Sequence, residues 1–245
     1  MKIYGLIGNP LSHSFSRKYF LEKFQKENIT DSDYLNFEVK DLDKEIPELK
    51  KNPLISGLNV TIPYKSQIIK FLDSVSPECL EINACNCIKI VNGKWEGFNT
   101  DLTGFEKSFL RGLESCHTNA LILGTGGSSK AVAYLLKKSG IKYKFVSSSK
   151  RELPGMINYE GLSKSIMEEY SIVINTTPVG MFPNIEDYPK IPYQYISERH
   201  YFFDLIYNPA KTLFLSKAEE RGARIKNGGD MLTIQAEESW KIWCR

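Results

Sequence analysis

The chain is predicted to be an α/β protein with mostly parallel sheets. Three observations predict it. Short apolar runs alternate with helical stretches from end to end. One run, Ala120 to Leu123, passes into Gly124-Thr125-Gly126-Gly127 and then into a helical stretch, the order of a strand, a tight turn and a crossover helix. The 245 residues are long enough, at about 150 residues per domain, for one large domain or two modest ones.

The elements follow in order. Ile3 to Gly8 reads as a strand and residues 15–28 as a helix. Tyr34 to Val39 is a second strand, and the charge-rich stretch Asp41 to Lys51 is a helix with a solvated face. Gly57 to Thr61 is a third strand, with a helix expected near 64–71. Ala84 to Val91 and Lys94 to Phe98 flank Asn92-Gly93; this dipeptide accepts the positive φ of a tight turn, so the pair predicts a hairpin. A second series begins after residue 101. It holds the strand Ala120 to Leu123, a helix to Lys138 stopped at Gly140, and strands at Tyr143 to Val146, Ser171 to Asn175 and Tyr201 to Leu205. The last helix covers 230–243. No Pro-, Gly- or Ser-rich tether marks the boundary near 101, so two domains would be closely joined.

Charged residues at 25% and hydrophobic residues at 42% are globular values and exclude a disordered chain. A net charge of +3 is too small to predict binding to nucleic acid or to a membrane surface. No apolar run approaches the length of about 18 residues that a membrane span needs. The start lacks the apolar region and cleavage site of an export signal. Five cysteines (Cys79, Cys85, Cys87, Cys116, Cys244) are expected as reduced thiols of a cytoplasmic protein. Three scattered histidines and no second Cys/His pair predict no metal site.

Gly124-Thr125-Gly126-Gly127-Ser128-Ser129 has the context of a dinucleotide-binding turn. Glycines let the backbone approach a pyrophosphate, and the helix start offers it N–H groups. Ser129 stands where the usual pattern has a third glycine. After the next strand come Ser147-Ser148-Ser149-Lys150-Arg151, with no carboxylate before Glu152. Hydroxyls and two cations suit a ribose 2′-phosphate and so favour NADP over NAD. An exposed polar loop is the plainer alternative.

Three further polar segments follow strands. Gly8 to Ser16 offers hydroxyls where open α/β sheets bind ligands, though Ser and Asn also cap helices and make turns. Asn59-Val60-Thr61-Ile62-Pro63-Tyr64-Lys65 puts Lys65 near an expected helix start, where the dipole does not favour a cation. Asn99-Thr100-Asp101 ends the hairpin; Asp101 reads as a cap or as a carboxylate facing Lys65. A Lys/Asp pair can move a proton to or from a hydroxyl oxygen.

In this order the motifs resemble those of the shikimate dehydrogenase family. Residues 5–16 are similar to its serine motif, and Asn59 to Lys65 to its Asn-Val-Thr-x-Pro-x-Lys. Asn86, Asn99-Thr100-Asp101, Gly124 to Ser129 and Asn175 to Met181 match further segments, with Ser129 now expected. So do Asp204-Leu205-Ile206-Tyr207 with Lys211-Thr212, and Gly228 to Leu232 with Gln235. The resemblance implies two α/β domains flanking a cleft: a substrate domain with a mostly parallel sheet, residues 1–101 plus 228–245, and a Rossmann NADP domain, 102–227. It implies reversible reduction of 3-dehydroshikimate to shikimate by a cytoplasmic monomer or homodimer. Lys65 is implied as the proton-transfer residue with Asp101 as its partner, and Ser14, Ser16, Thr61, Asn86, Tyr207 and Gln235 as substrate contacts. Cofactor contacts are implied at Gly124, Gly126, Gly127, Ser128, Ser148, Ser149, Lys150, Arg151, Thr176, Thr177 and Gly228. One departure stands out: the arginine expected on the 2′-phosphate is Ser149, with Lys150 or Arg151 as its substitute. Dual use of quinate or NAD, and a binding protein without turnover, are the alternatives.

Overall fold

The first strand sets the pattern of the N-terminal unit. In β1 (Lys2–Gly8) Ile3 and Ile7 face one core, while Tyr4 and Leu6 face another. A strand buried on both sides needs cover on both sides. In the computed structural model, residues 1–11, 15–148 and 155–245 are described. They form two units, Met1–Thr100 with Ala236–Arg245, and Asp101–Gln235.

The N-terminal unit continues with α1 (Phe15–Lys26), β2 (Ser32–Glu38), α2 (Leu42–Lys50), β3 (Ile55–Val60), β4 (Ser74–Val75), α3 (Pro77–Ile82), β5 (Cys87–Val91) and β6 (Lys94–Phe98). Its sheet runs β2-β1-β3-β5-β6-β4. The β1–β2, β1–β3 and β4–β6 pairs are parallel; β5 pairs antiparallel with β3 and β6. The hairpin turns at Asn92-Gly93, with φ of 50° and 73°. Asp41 caps α2 by accepting from Asp43 and Lys44 N–H, and Glu45 reaches back to the Asp41 N–H. One face of the sheet packs Val39, Leu42, Ile46, Ile68 and Trp95. The other packs Phe20 and Phe24 of α1 with Ala236, Ile242 and Trp243 of the last helix. Gly57 makes room there: a Cβ would sit 2.5 Å from the Trp243 indole.

The second unit holds most of α4 (Thr100–Phe109), then β7 (Asn119–Leu123), α5 (Gly127–Lys138), β8 (Lys142–Val146), α6 (Lys164–Glu169), β9 (Ile172–Asn175), β10 (Tyr201–Asp204), α7 (Leu213–Glu219), β11 (Arg224–Lys226) and the first half of α8 (Gly229–Cys244). Its strands run β11-β10-β9-β7-β8, all parallel. Phe202 points into one core, with Phe214 and Val173. Tyr201 and Phe203 point the other way, against Phe105 and Phe109 of α4.

One expectation changes. No α-helix forms over 64–71; a 3-10 turn covers Gln67–Phe71 instead. The short β4, α3, α6, α7 and β11 had no readable period, because two to seven residues are too few to show one. By contact, the chain divides inside α8, between Gln235 and Ala236. Gly104 explains this: α4 approaches so closely that a Cβ there would lie 2.7 Å from the Met231 carbonyl oxygen.

A buried carboxylate fastens the carboxyl end of the second sheet. Asp204 Oδ1 accepts from Asn175 Nδ2 and from Ile206 N–H, each at 3.0 Å, and Oδ2 from the Thr212 hydroxyl at 2.6 Å. Burial pushes its pKa up to about 6, against the pull of those hydrogen bonds. A raised carboxyl pKa means the fold favours the protonated form. This group's contribution is therefore complete below about pH 4 and is lost as pH rises through about 6. Asp204→Asn should remove that dependence, so the wild-type urea midpoint should fall relative to the variant's across this window. A constant offset between the two would contradict it.

Candidate active site

The polar residues singled out in the N-terminal unit come out at one end of its sheet. β1, β3 and β6 run one way and β5 the other. The carboxyl ends of three strands therefore meet the amino end of the fourth, the edge where α/β sheets bind ligands. Thr61 follows β3, Asn86 precedes β5 and Asn99 follows β6. Gly8 ends β1 so close to Thr61 that a Cβ would lie 2.5 Å from its methyl group.

Lys65 lies in the turn before the 3-10 segment, not at an α-helix start, so the dipole argument for it lapses. Backbone contacts hold it instead. Cys85 N–H donates to the Lys65 carbonyl at 2.7 Å, which seats Lys65 beside Asn86. The neighbouring Tyr64 is buried, its hydroxyl donating to the Val39 carbonyl at 2.6 Å.

Asn86 is fixed on three sides. Its N–H donates to Phe98 O at 3.1 Å, and its carbonyl accepts from Val60 N–H at 2.9 Å and Asn59 Nδ2 at 3.2 Å. Its Oδ1 accepts from Thr100 N–H at 2.6 Å and from the Thr100 hydroxyl at 3.3 Å. Thr61 and Lys65 are thus seated beside Asn86, and Asn86 holds Thr100, the residue before Asp101. Ser16, in the first turn of α1, hydrogen-bonds the buried Tyr34 hydroxyl. Ser14 lies outside the described residues.

Asp101 and Gln235 belong to the other unit. Asp101 sits buried in the first turn of α4, where the helix dipole favours a carboxylate. Gly104 is one turn further on, and a Cβ there would lie 3.1 Å from Gln235 Cβ. The two helices therefore bring Asp101 and Gln235 to facing surfaces. Tyr207, partly exposed after β10, is tied to Gly228 through the Gly228 N–H, which donates to Ile206 O at 3.1 Å. Only a residue without Cβ fits at 228: a Cβ would overlap the Leu205 carbonyl.

The second sheet also marks a cofactor site. Counted from β7, its strand order is 2-1-3-4-5, so β7 and β9 flank the point where connections diverge. The loops after these two strands touch. Gly124 has φ +99°, and a Cβ there would lie 2.8 Å from Thr177 Cγ2 and 3.0 Å from Thr176 Oγ1. Thr176 Oγ1 donates to Leu123 O at 2.6 Å, and Thr177 N and Oγ1 both donate to Asn175 Oδ1. Gly126 caps α5 and faces open space, Gly127 and Ser128 start the helix, and buried Ser129 donates to Gly126 O at 2.6 Å. An open glycine approach to a 12-residue helix fits a pyrophosphate. Ser148 is exposed just past β8; Ser149, Lys150 and Arg151 lie outside the described residues.

Sequence reasoning missed Tyr34 and Ser239 as parts of these sites. It quoted Asn59, Asn175 and Asp204 within their motifs without giving them a role. Cys79, Cys85 and Cys87 are buried, and burial pushes Cys87 up to about 12, which makes it an inert thiol. Among the described residues no group of three or more His, Cys, Asp or Glu is placed to hold a metal ion, and no helix is long and apolar enough to cross a membrane.

The family model for the shikimate dehydrogenase substrate binding domain matches residues 6–88. A shikimate dehydrogenase (NADP(+)) of Caldicellulosiruptor bescii is 39% identical over 258 residues, covering 99% of this chain and 89% of the relative. The crystal structure of shikimate dehydrogenase from Aquifex aeolicus matches with a TM-score of 0.88 and 34% identity, over 99% of this chain and 92% of that one. Shikimate 5-dehydrogenase from Thermus thermophilus, solved in complex with NADP(H) and shikimate, matches with a TM-score of 0.86 and 27% identity, over 99% and 93% of the two chains. With this likeness along its whole length, the chain belongs to the shikimate dehydrogenase family.

Proposed function

We propose that the chain catalyses the NADP-dependent, reversible reduction of 3-dehydroshikimate to shikimate, a step of aromatic amino acid biosynthesis in the cytoplasm. The observation that carries this reading, beside the family, is that backbone bonds seat Thr61 and Lys65 beside Asn86, whose side chain holds Thr100, the residue before Asp101. Bound NADPH supplies the hydride that reduces the ring ketone. The chain supplies the proton. The Lys65 ammonium donates it to the ketone oxygen as charge develops there, and the neutral amine takes it back in the reverse direction. Asp101 is the carboxylate partner that keeps Lys65 aimed at this oxygen. Ser14, Ser16 and Tyr207 hydroxyls suit the substrate carboxylate. Thr61, Asn86 and Gln235 suit the ring hydroxyls. Such a site rejects a substrate lacking a hydroxyl, because buried polar groups are then left unpaired.

Gly124, Gly126, Gly127, Ser128, Thr176, Thr177 and Gly228 hold the cofactor in this reading, with Ser148 and Ser149 beside its ribose. Lys150 and Arg151 read the 2′-phosphate in place of the arginine that is Ser149 here. The Ser149 departure favours one competing reading, dual use of NAD or of quinate.

Absorbance at 340 nm, crossing shikimate and quinate with NADP⁺ and NAD⁺, tests the assignment. Turnover is expected with shikimate and NADP⁺. Comparable turnover with quinate or NAD⁺ would establish the dual-specificity reading. No turnover by folded protein that binds shikimate would leave a binding protein. Lys65→Ala should lower kcat by about 10²-fold or more with a lesser effect on KM. Near-normal turnover would remove Lys65 from the chemistry. Lys150→Ala with Arg151→Ala should weaken NADP⁺ more than NAD⁺. Equal losses would show that neither cation reads the phosphate.

A further inference from the structure

The N-terminal unit contains a chain of buried polar groups that leads to Asn86 and whose other members the proposed reaction does not use. Tyr34, Asn59, Asn86, Thr100 and Ser239 are each at most 4% exposed. The Tyr34 hydroxyl donates to Asn59 Oδ1 at 2.9 Å, and Asn59 Nδ2 donates to Ser239 Oγ at 2.9 Å. Ser239 Oγ lies 3.1 Å from Thr100 Oγ1, which lies 3.3 Å from Asn86 Oδ1.

Proton bookkeeping fixes the direction of every link. An amide oxygen only accepts, so Thr100 spends its one hydroxyl proton on Asn86. Thr100 must then accept from Ser239. Ser239 accepts from the Asn59 NH₂, which only donates. The relay runs one way, from Tyr34 to Asn86, and delivers two donors to Asn86 Oδ1. The Thr100 backbone N–H allows no other orientation, because it would face an NH₂ group if the amide flipped. Asn86 Oδ1 is thereby committed to Thr100, which leaves the amide NH₂ as the group this side chain can offer a ligand.

We propose that Ser239, on the last helix, is a positioning residue of the substrate site: through Thr100 it holds the Asn86 amide so that its NH₂ donates to a ring hydroxyl oxygen of the substrate. This rests on the reading of Asn86 as a substrate contact. Ser239 touches no substrate. It lies one helical turn after Gln235, so the same helix carries a proposed substrate contact and the residue that orients another.

A double-mutant cycle tests it, with thermal melting to confirm folding. Asn86→Ala and Ser239→Ala should each raise KM for shikimate, by about tenfold for a single lost or misaimed hydrogen bond. The kcat and the KM for NADP⁺ should change far less. In the Asn86→Ala background, Ser239→Ala should add nothing, because what it orients is gone. A normal shikimate KM in Ser239→Ala, with a raised one in Asn86→Ala, overturns the inference and leaves the reading of Asn86 intact. A normal KM in Asn86→Ala overturns both. Equal effects of Ser239→Ala in the two backgrounds show a general structural role and overturn the inference. If Ser239→Ala does not fold, Thr100→Val takes its place in the cycle under the same criteria; it removes the hydroxyl link and keeps the backbone N–H.

Discussion

The hydrogen bond from Thr100 N–H to Asn86 Oδ1, at 2.6 Å, is the constraint on which the substrate side depends. Thr100 opens α4, and the first N–H groups of a helix have no acceptor within it. Thr100 is buried, so an unmet donor there costs about 1–3 kcal/mol. Asn86 meets it with a side chain from the start of β5. The same bond therefore caps the helix that carries Asp101 in its first turn and fixes which way the Asn86 amide faces. Cys85 N–H, one residue earlier, holds the Lys65 carbonyl. Two candidate site residues, Lys65 and Asn86, are placed by one short stretch of backbone.

Packing keeps that stretch in place. The tail of α8 lies on the face of the sheet where Tyr4 stacks on Trp243 with centroids 5.0 Å apart and Phe20 stacks on Tyr34 at 4.7 Å. Such pairs add about 0.5–1.5 kcal/mol each beyond the area they bury. Trp243 Nε1 donates to Ile88 O at 3.0 Å, inside β5 itself. Ser239 rides on this helix tail, one turn before Trp243. The cofactor side works differently. There the backbone does most of the shaping: missing Cβ atoms at Gly124 and Gly228 allow close approach, and buried Asp204 ties three loop segments to one carboxylate.

Much of this was legible in the sequence, for identifiable reasons. All strands of both sheets but β4 and β11 were legible, and Asn92-Gly93 announced its hairpin through a conformation few other residues accept. The glycine turn was legible because only glycine fits φ +99° against Thr177. The helix expected at 64–71 failed because its apolar residues suited a helix while a single 3-10 turn sufficed to connect β3 to β4. Lys65 was singled out on a dipole argument that does not apply, although its motif context stood. Ser239 and Tyr34 carried no signal. A serine on a helix and a tyrosine on a strand gain meaning only from partners 180 and 25 residues away in sequence. The domain boundary within α8 was equally hidden, since the helix is continuous and the division comes from what each half touches.

A crystal structure of this chain with shikimate bound tests the central claim most directly. The account predicts Asn86 Nδ2 within hydrogen-bond distance of a ring hydroxyl oxygen, with Asn86 Oδ1 still on Thr100 N–H, and Lys65 Nζ on a neighbouring hydroxyl. A ring seated away from Asn86 and Lys65, or an Asn86 amide turned off Thr100 to accept from the ligand, would contradict it.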